Sequence, residues 1–499
     1  QNVIINLTDI EGDEFRVNTE TFDSQTQSKV TSLNDGGFVI IWDSMGDQDG
    51  ANGGVFGQQY DEKGNQNGQE FQVNTFFQSS ELPEEIIGLE DGGFLAIYRE
   101  TSDIIGQYSD LLAQRYNFEG NKVGDEFLVN TTTDGNQEDA CAASLNNGNI
   151  VITWWSDNDQ DGDRGGIFGQ LYNPDGNKVG SEFQVNSNYL GNQYNPNVIS
   201  LNDGGFLVSW GSNSWSGSGI DGIFSQRFNS EGDKVGSEIQ VTDENTHYHD
   251  YLSTAELHLS GFPNREVIGD QDAGAIAYSW YEDFGSWDSP NAGTYFSIID
   301  NVGTGNEWGI KSETPLNTKN MDTKLASFDN GNIIAVWHDK KENISDDISE
   351  NSQRNLDIYG QIFSWDGSKL GPEFLVNNLT AGNQGTPDVT VLEDQSYVVS
   401  WHSHIEMGDN DDTSWNNPVL QDVYARVFSP TINVYHLNAG ELDQFNISII
   451  EDNAYAFDFK LENENFEVRI YNVESNDGSY LTRDLIYSSY NDNNNINDL

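Results

Sequence analysis

Residues 70–74, Glu70-Phe71-Gln72-Val73-Asn74, decide the fold because this segment returns at a fixed interval along the chain. Copies begin at Glu14, Glu126 and Glu182, and a variant, E-I-Q-V-T, begins at Glu238, so successive copies lie 56 residues apart. Repetition with a period of this length is typical of solenoids, propellers and other repeat arrays. The chain is therefore built from one structural unit that is used many times.

Two further features keep the same period and fix the number of repeats. An apolar run, Gly37-Phe38-Val39-Ile40-Ile41-Trp42 in the first repeat, ends in an aromatic residue each time. The aromatic residues are Trp42, Tyr98, Trp154, Trp210, Trp280, Trp337 and Trp401. The pattern G-[VI]-F-x-Q-x-[YF] follows at Gly54–Tyr60, Gly166–Tyr172 and Gly222–Phe228, with weaker copies at Asp357–Phe363 and Asp422–Phe428. Together the features predict seven repeats.

Each repeat predicts four strands separated by turn residues. In the first repeat they are Lys29–Leu33, Phe38–Trp42, Gly54–Tyr60 and Glu70–Asn74. The second strand is apolar throughout, which is typical of a strand covered on both faces, whereas the fourth alternates and is typical of an outer strand. We therefore predict an all-β, seven-bladed β-propeller of ~56-residue four-stranded repeats. Tandem β-sandwiches and an open array of repeats remain alternatives.

The register of the repeats also predicts how the ring closes. The first copy, Glu14–Asn18, has no blade of its own, and the seventh blade, from about Pro387 to Phe428, lacks a fourth strand. Supplying that strand from the N-terminal side closes the ring and leaves no open sheet edge. The predicted domains are an N-terminal extension (1–13), the propeller (14–430) and a small C-terminal β module (431–499).

Composition excludes several classes of partner and site. Asp and Glu number 82 against 22 Lys and Arg, which gives a formal net charge of −60. A chain this acidic repels phosphate, so nucleic acid and anionic membranes are not expected as partners. The single cysteine, Cys141, excludes an intramolecular disulfide and a cysteine-based metal cluster. No apolar run of 18 residues exists, so no membrane insertion is expected.

The combined motifs E-F-Q-V-N, L-x-D-G-G-F-x-x-x-W, Q-D-G and G-[VI]-F-x-Q-x-Y resemble a tandem repeat of large secreted or surface-attached microbial proteins, which are adhesin-like and calcium-associated. The likeness covers roughly residues 11 to 430. It implies an extracellular or cell-surface location and an adhesive or scaffolding role. Repeats five to seven depart from the pattern through longer loops and lost glycines, so a function shared by those loops is in doubt.

One acidic loop predicts a calcium site. In repeat three Asp157, Asp159 and Asp161 alternate and are followed by Gly162 and Asp163. Alternating carboxylates can converge on a hard cation, and the glycine permits a sharp turn. The closing glutamate of an EF-hand loop is missing. A solvated acidic turn, in a protein that is acidic throughout, is the alternative.

Other candidate sites are weaker. His338 and His402 each follow a blade tryptophan and, with His404, are expected to lie near one another; strand-end residues without a metal are the favoured interpretation. No G-x-S-x-G, H-E-x-x-H or phosphate-cradling loop occurs, and paired acids carry no information in so acidic a chain. Asn343 lies in an N-glycosylation sequon and is the predicted glycosylation site.

These observations favour a non-enzymatic extracellular protein with a structural or adhesive role, such as a subunit of a surface filament or coat. Its partners would be copies of itself, other surface proteins or glycans, and strand Val3–Ile5 is either donated to a neighbour or folded back on its own propeller. The alternative function is a carbohydrate-binding or carbohydrate-cleaving propeller. Exposed aromatic residues in long loops would favour it; the candidates are Trp215, Trp287 and Trp415.

Overall fold

The structure is a computed structural model of the whole chain. It describes all residues except 1–4, 8–9, 22, 47, 49–52, 76–79, 102–107, 158, 214–219, 243–247, 258–274, 284–292, 301–308, 316–321, 340–355, 365–366, 381, 406–419, 430, 439–440, 449–453, 463–464, 477–478 and 489–499. Among the described residues no helix is long and apolar enough to cross a membrane.

The protein is a seven-bladed β-propeller, as the sequence predicts, and blades one to six are antiparallel sheets of four strands in chain order. The innermost strands are β4 (Gln25–Ser32), β8 (Ser80–Gly88), β12 (Gln137–Ser144), β16 (Asn192–Ser200), β20 (Tyr248–Leu257), β24 (Lys324–Ser327) and β28 (Asn383–Val391). The second strands are β5 (Phe38–Ser44), β9 (Phe94–Thr101), β13 (Ile150–Ser156), β17 (Phe206–Asn213), β21 (Ala275–Asp283), β25 (Ile333–Asp339) and β29 (Tyr397–Ile405).

The remaining two strands of each blade lie farther from the axis. The third strands are β6 (Gly54–Tyr60), β10 (Ser109–Tyr116), β14 (Gly166–Tyr172), β18 (Gly222–Phe228), β22 (Gly293–Asp300), β26 (Asp357–Phe363) and β30 (Leu420–Ser429). The outer strands of blades one to six are β7 (Gln66–Gln72), β11 (Lys122–Leu128), β15 (Lys178–Gln184), β19 (Lys234–Gln240), β23 (Gly309–Pro315) and β27 (Lys369–Leu375). Each inner strand contacts the inner strand of the next blade, and β28 contacts β4, so the blades form a ring.

Burial follows the predicted layers. Every residue of β5 is buried, whereas β7 is exposed in its first half and partly buried in its second. The blade tryptophans are buried in the protein core, and Trp42 and Trp154 are both 0% exposed. Each of these indoles donates Nε1–H to the Oε1 of a glutamine at the start of the inner strand, Gln25 and Gln137, at 3.0 Å. Burial of the indole is therefore matched by a hydrogen bond to its only polar atom.

The glutamine of G-[VI]-F-x-Q fills a bulge in the outer strand. The pairing of β6 with β7 jumps between Gly57 and Gln59, and Gly68 in the bulge has a φ of 85°. Gln58, which is 1% exposed, donates Nε2–H to the carbonyl of Asn67 at 3.4 Å from inside this bulge. The motif thus supplies a donor to a carbonyl that the irregular ladder leaves unpaired.

Ring closure occurs as predicted. Strand β3 (Phe15–Arg16), in the first E-F-x-V-N copy, pairs antiparallel with β30, with Phe15 opposite Ala425 and Arg16 opposite Tyr424. The ladder continues beyond β3, because Val17 N–H donates to the carbonyl of Val423 at 2.8 Å. Strand β2 (Ile10–Glu11) pairs with the end of β30. The last blade is completed by a segment about 400 residues earlier in the chain.

Residues 12–427 form one compact unit, and residues 1–11 with 428–499 form a second. In the second unit β1 (Ile5–Leu7), β31 (Thr431–Asn438) and β32 (Glu441–Ser448) form one sheet. A separate sheet contains β33 (Ala454–Glu462), β34 (Asn465–Asn476) and β35 (Ser479–Ser488). Strand β1 pairs with β31, so in this chain the N-terminal strand joins the C-terminal sheet rather than a blade of the propeller.

Candidate functional site

Six of the seven inner strands are longer than the sequence predicts, because they begin before a β-bulge. In blade one β4 starts at Gln25 rather than Lys29, and its pairing with β5 jumps between Thr26 and Lys29. Similar jumps occur in β8, β12, β16, β20 and β28. Each bulge lies at or beside the residue paired with the blade aromatic. Bulges redirect side chains and recur next to functional sites.

At one position of the inner wall, five blades hold a residue other than glycine at positive φ, and in four of them that residue lies in the bulge. The position is six residues before the buried Leu or Phe that follows each inner strand. The residues are Gln27 (52°), Asp139 (54°), Asn195 (49°), Asp322 (67°) and Thr386 (44°). Such conformations cost free energy for residues with a β-carbon and cluster at functional sites. The inner wall of the ring is therefore strained at the same level in five blades.

Topology places all these bulges toward one face of the ring. In a four-stranded antiparallel blade, the connections from the second to the third strand and from the outer strand to the next inner strand emerge together. We call this the front face. Inner strands begin and second strands end at the front face, so the bulges lie near it on the axial side. Propellers carry a central channel, and the front-face end of that channel is lined by bulge residues.

A charged cluster lies at this end of the axis between blades two and three. The Arg99 guanidinium, at the end of β9, pairs with two carboxylates: Nε lies 3.2 Å from Glu84 Oε1, and Nη1 lies 2.9 Å from Glu138 Oε2. Glu84 is the bulge residue of β8, and Glu138 precedes the bulge of β12. Glu138 also accepts a hydrogen bond from Ser109 Oγ at 2.8 Å. We call Glu84, Arg99, Glu138 and Asp139 the axial cluster.

The surroundings of Glu84 favour the protonated form of its carboxyl. Its side chain is 10% exposed, and its Oε2 accepts the Ala140 amide N–H at 3.1 Å. Burial raises the pKa of Glu84 to about 7, although Arg99 acts in the opposite direction; Asp139 adds to the increase, and Lys29 opposes it. A substantial fraction of Glu84 is therefore protonated at neutral pH and can donate a proton.

Asp139 is the exposed carboxyl of the axial cluster. It lies in the bulge of β12, and the residue is exposed. Surrounding protein and then the adjacent Glu138 carboxylate raise its pKa, while Arg99, Lys29 and Lys324 oppose the increase. The cluster thus combines a shielded, partly protonated carboxyl and a solvent-accessible one across the boundary of two blades.

A second level of side chains lies on the inner strands, two residues C-terminal to the position with positive φ. Its members are Lys29, Glu85, Cys141, Asn197, Ser253, Lys324 and Asp388. Three of them accept an amide from the following blade: Val198 N–H donates to Cys141 Sγ at 3.4 Å, Leu325 N–H to Ser253 Oγ at 3.1 Å, and Val30 N–H to Asp388 Oδ2 at 2.9 Å. This level links neighbouring blades. Burial raises the pKa of the Cys141 thiol to about 12, so it is not a nucleophile.

The histidines lie together in blades six and seven, on the far side of the ring from the axial cluster. Burial, then His338 and His404, lower the pKa of His402 to about 4, and burial lowers the pKa of His338 against Asp322 and Asp339. Thr386 Oγ1 lies 2.7 Å from His402 Nδ1. Within the described residues no three His, Cys, Asp or Glu side chains are grouped as metal ligands.

Two exposed tyrosines lie on front-face connections. Tyr108 precedes β10 and is 44% exposed, and Tyr189 lies between β15 and β16 and is 50% exposed. Tyr189 borders the acidic loop of blade three, since its Cδ2 is 3.8 Å from where a β-carbon on Gly162 would stand. An exposed tyrosine offers an apolar ring face with a polar tip, which suits a partner that has both kinds of surface.

The carboxylates of the predicted calcium loop each have a different partner. Asp157 Oδ1 accepts Asn136 N–H at 2.6 Å, Asp159 Oδ1 accepts Arg164 N–H at 2.5 Å, and Asp163 Oδ2 accepts Gly191 N–H at 3.0 Å. Asp161 Oδ2 accepts Asn186 Nδ2–H at 2.9 Å. The loop is thus stabilised by its own hydrogen bonds, and calcium binding there stays a prediction. Asn343, Trp215, Trp287 and Trp415 lie outside the described residues.

Sequence reasoning did not single out the axial cluster. It treated acidic pairs as uninformative and began each inner strand after the bulge. A usable signal was present: the residue after the blade aromatic differs among repeats, although the repeat is otherwise regular. These residues are Asp43, Arg99, Trp155, Gly211, Tyr281, His338 and His402. Variation at one position of a regular repeat marks side chains that the scaffold does not need.

No protein-family model matches the chain, and no curated protein matches it in sequence. Solved structures with a similar fold include an α-L-arabinofuranosidase from Fusarium graminearum in complex with an iminosugar inhibitor (9% identity, TM-score 0.44, covering 84% of this chain and 97% of that one). Others are an α-L-arabinanase from Penicillium chrysogenum complexed with arabinobiose (16%, 0.39, 67% and 90%) and an ulvan lyase, a polysaccharide lyase (11%, 0.47, 78% and 93%).

These structures correct the prediction of a non-enzymatic protein, because the three proteins named are enzymes. At this level of identity the likeness concerns the fold alone. The reaction and the residues that perform it have to be inferred from the site of this chain itself.

Proposed function

We propose that this protein is a carbohydrate-cleaving β-propeller that acts outside the cell, with its active site at the axial cluster. The observation that carries the proposal is the state of Glu84: a shielded carboxyl, fixed by Arg99 and the Ala140 amide, with a pKa raised to about 7. Glycosidic bonds are commonly cleaved by two carboxyl groups, one a proton donor whose pKa is raised and the other a carboxylate.

The roles follow from shielding and exposure. Glu84 donates its proton to the glycosidic oxygen as the bond from that oxygen to the anomeric carbon breaks. Asp139, open to the channel, accepts a proton from the water whose oxygen bonds to the anomeric carbon. The products are two shorter glycans that together contain one added water. Arg99 and Glu138 do not react; they orient Glu84 across the boundary between the blades.

Exposed tyrosines on the same face support a glycan as the ligand. Tyr108 and Tyr189 present ring faces at the side of the propeller where the channel opens. A polymer is too large for a closed cavity, so a site at an open face with flanking aromatic rings suits it better than a buried pocket.

Reducing-end release from a panel of polysaccharides tests the proposal, with wild type compared with Glu84→Gln and Asp139→Asn. Each substitution is expected to lower kcat by about 10²–10⁴-fold, because it removes an acid or a base. Glu256→Gln is the matched control: Glu256 also lies on an inner strand and has a pKa raised to about 7, but it is at the opposite end of its strand. Turnover that survives Glu84→Gln, or wild type without turnover on any glycan, contradicts the proposal.

A further inference from the structure

We infer that the axial site takes an uncharged glycan, a polymer without uronate carboxylates or sulfate esters. This inference rests on the proposed function and adds the class of substrate. An enzyme that acts on an anionic glycan needs cations that remain available when the substrate arrives, since an unpaired anion at a protein site is costly. The cations along the inner wall of this ring are already matched by carboxylates of the protein.

Arg99 is the cation nearest the proposed proton donor, and it is already ion-paired with two carboxylates of the protein. Its guanidinium bridges Glu84 and Glu138, and its side chain is only 20% exposed. Recruiting Arg99 for a substrate carboxylate would leave two protein carboxylates without their partner. An anionic sugar would therefore weaken the arrangement that positions Glu84.

Lys29 lies one level below and is enclosed in the same way. Burial acts to lower the pKa of Lys29, but the carboxylates of Glu85, Asp388 and Glu84 outweigh it and leave the pKa above its usual value. The ammonium group is thus retained as the counter-ion of these acids. It serves the protein's own charges rather than those of a ligand.

Lys324 is the third cation of the inner wall, and it faces acids as well. Burial raises the pKa of both Glu85 and Asp139, and the charge of Lys324 acts against that increase. Lys324 therefore lies close enough to interact with both carboxyls. Among the described residues of the two axial levels, acids therefore outnumber lysines and arginines. Any anionic group that entered would meet a surface with an excess of like charge.

The histidines across the ring add no positive charge at neutral pH. The pKa of His402 is lowered to about 4 and that of His338 is also lowered, in each case mainly by burial, even though Asp322 and Asp339 act to raise the pKa of His338. Neutral imidazoles can donate or accept hydrogen bonds to sugar hydroxyls but do not attract anions. The formal net charge of −60 adds a long-range repulsion that salt screens.

Binding and turnover on matched polymer pairs test this inference. Each pair shares a backbone and differs in charge: methyl-esterified and de-esterified polygalacturonan, hydroxyethyl and carboxymethyl cellulose, dextran and dextran sulfate, with neutral arabinan and xylan in addition. Binding is measured with Glu84→Gln, which is expected to bind without cleaving, and turnover is measured with wild type. We expect neutral polymers alone to be used, with at least about tenfold preference over a charged partner at low salt.

A charge variant sharpens the test. Glu85→Gln removes one partner of Lys29, and its affinity for a charged polymer is expected to rise severalfold at low salt while that for the neutral partner stays constant. Preference of the wild type for the charged member of any pair overturns the inference but leaves the proposed function standing. If no polymer is bound or cleaved, the proposed function fails, and the substrate class fails with it.

Discussion

Arg426 Nε donates a hydrogen bond to the carbonyl of Gly12 at 2.9 Å, across the seam where the two ends of the ring meet. Its Nη1 donates to the carbonyl of Val376 in blade six at 2.6 Å. In the other blades whose third strand carries the motif, a glutamine occupies the position of Arg426. The longer, charged side chain suits the one blade whose outer strand is supplied from elsewhere in the chain.

Arg426→Ala is expected to destabilise the propeller. Arg426 is 2% exposed, so its loss removes the donor to the carbonyls of Gly12 and of the buried Val376 and opens space at the seam. We expect the free energy of unfolding to fall by about 2–4 kcal/mol. Thermal or urea unfolding measures the change. Arg16→Ala is the control at the same seam: Arg16 is 45% exposed, lies 3.9 Å from Asp422, and its loss is expected to cost under about 1 kcal/mol. Equal effects of the two substitutions would show that Arg426 has no special role.

Arg99→Gln is expected to move the alkaline limit of turnover upward. The positive charge of Arg99 lowers the pKa of Glu84 against burial, so its removal raises the pKa and keeps the proton on Glu84 at higher pH. The pH profile of kcat/KM measures the limit, which is expected near pH 7 in wild type. Arg99→Lys keeps the charge and is expected to restore the limit. A fall in kcat without a shift of that limit means that Arg99 acts only on structure.

Stability is expected to decrease from about pH 4.5 to about pH 7. Burial raises the pKa of Asp43, Glu84 and Glu256 to about 7, so the folded state binds more protons than the unfolded state in this range. The stability that these protons provide is fully present below the unfolded pKa and lost as pH rises through the folded value. Each carboxyl is expected to contribute up to about 3 °C in Tm.

Glu256→Gln isolates one contribution to this trend. Glu256 is 8% exposed and accepts the Asn202 amide N–H at 3.0 Å beside Arg227. The variant is expected to lose less stability between pH 5 and pH 8 than wild type when Tm is compared in the same buffers. Parallel curves for variant and wild type would show that Glu256 does not titrate in this window.

Calcium is expected to raise Tm more than sodium chloride of equal ionic strength, because the acidic loop of blade three would gain a counter-ion. Binding requires Asp157, Asp159, Asp161 and Asp163 to exchange their present hydrogen bonds for metal ligation. Asp159→Asn with Asp163→Asn is expected to abolish the extra increase. Identical responses to the two salts would exclude a specific site in this loop.

The sequence predicts the scaffold well because the scaffold is periodic. The aromatic at the end of each second strand and the E-F-x-V-N segment recur where the packing requires them, and the unmatched copy at Glu14–Asn18 reveals the closure. These features report burial and strand pairing, and both follow directly from residue pattern.

The axial cluster was not predictable in the same way. Its carboxyls are ordinary acids in a chain that is rich in acids, and only the bulges bring Glu84 and Glu138 to one guanidinium. A bulge adds a residue without changing the apolar pattern on either side, so strand periodicity does not reveal it. The sequence shows which positions are variable, but not that they meet at the axis.

The seam has a consequence for how the chain is made. The closing segment around Phe15 leaves the ribosome before any blade, while its partner Ala425 is added about 400 residues later. At typical rates of about 5–20 residues per second, the nascent segment waits on the order of tens of seconds for its partner. Blades one to six can assemble during that interval from hairpins that are local in sequence. The ring closes only once Ala425 has left the ribosome, and the unpaired segment near Phe15 is the part of the young protein most in need of protection from aggregation.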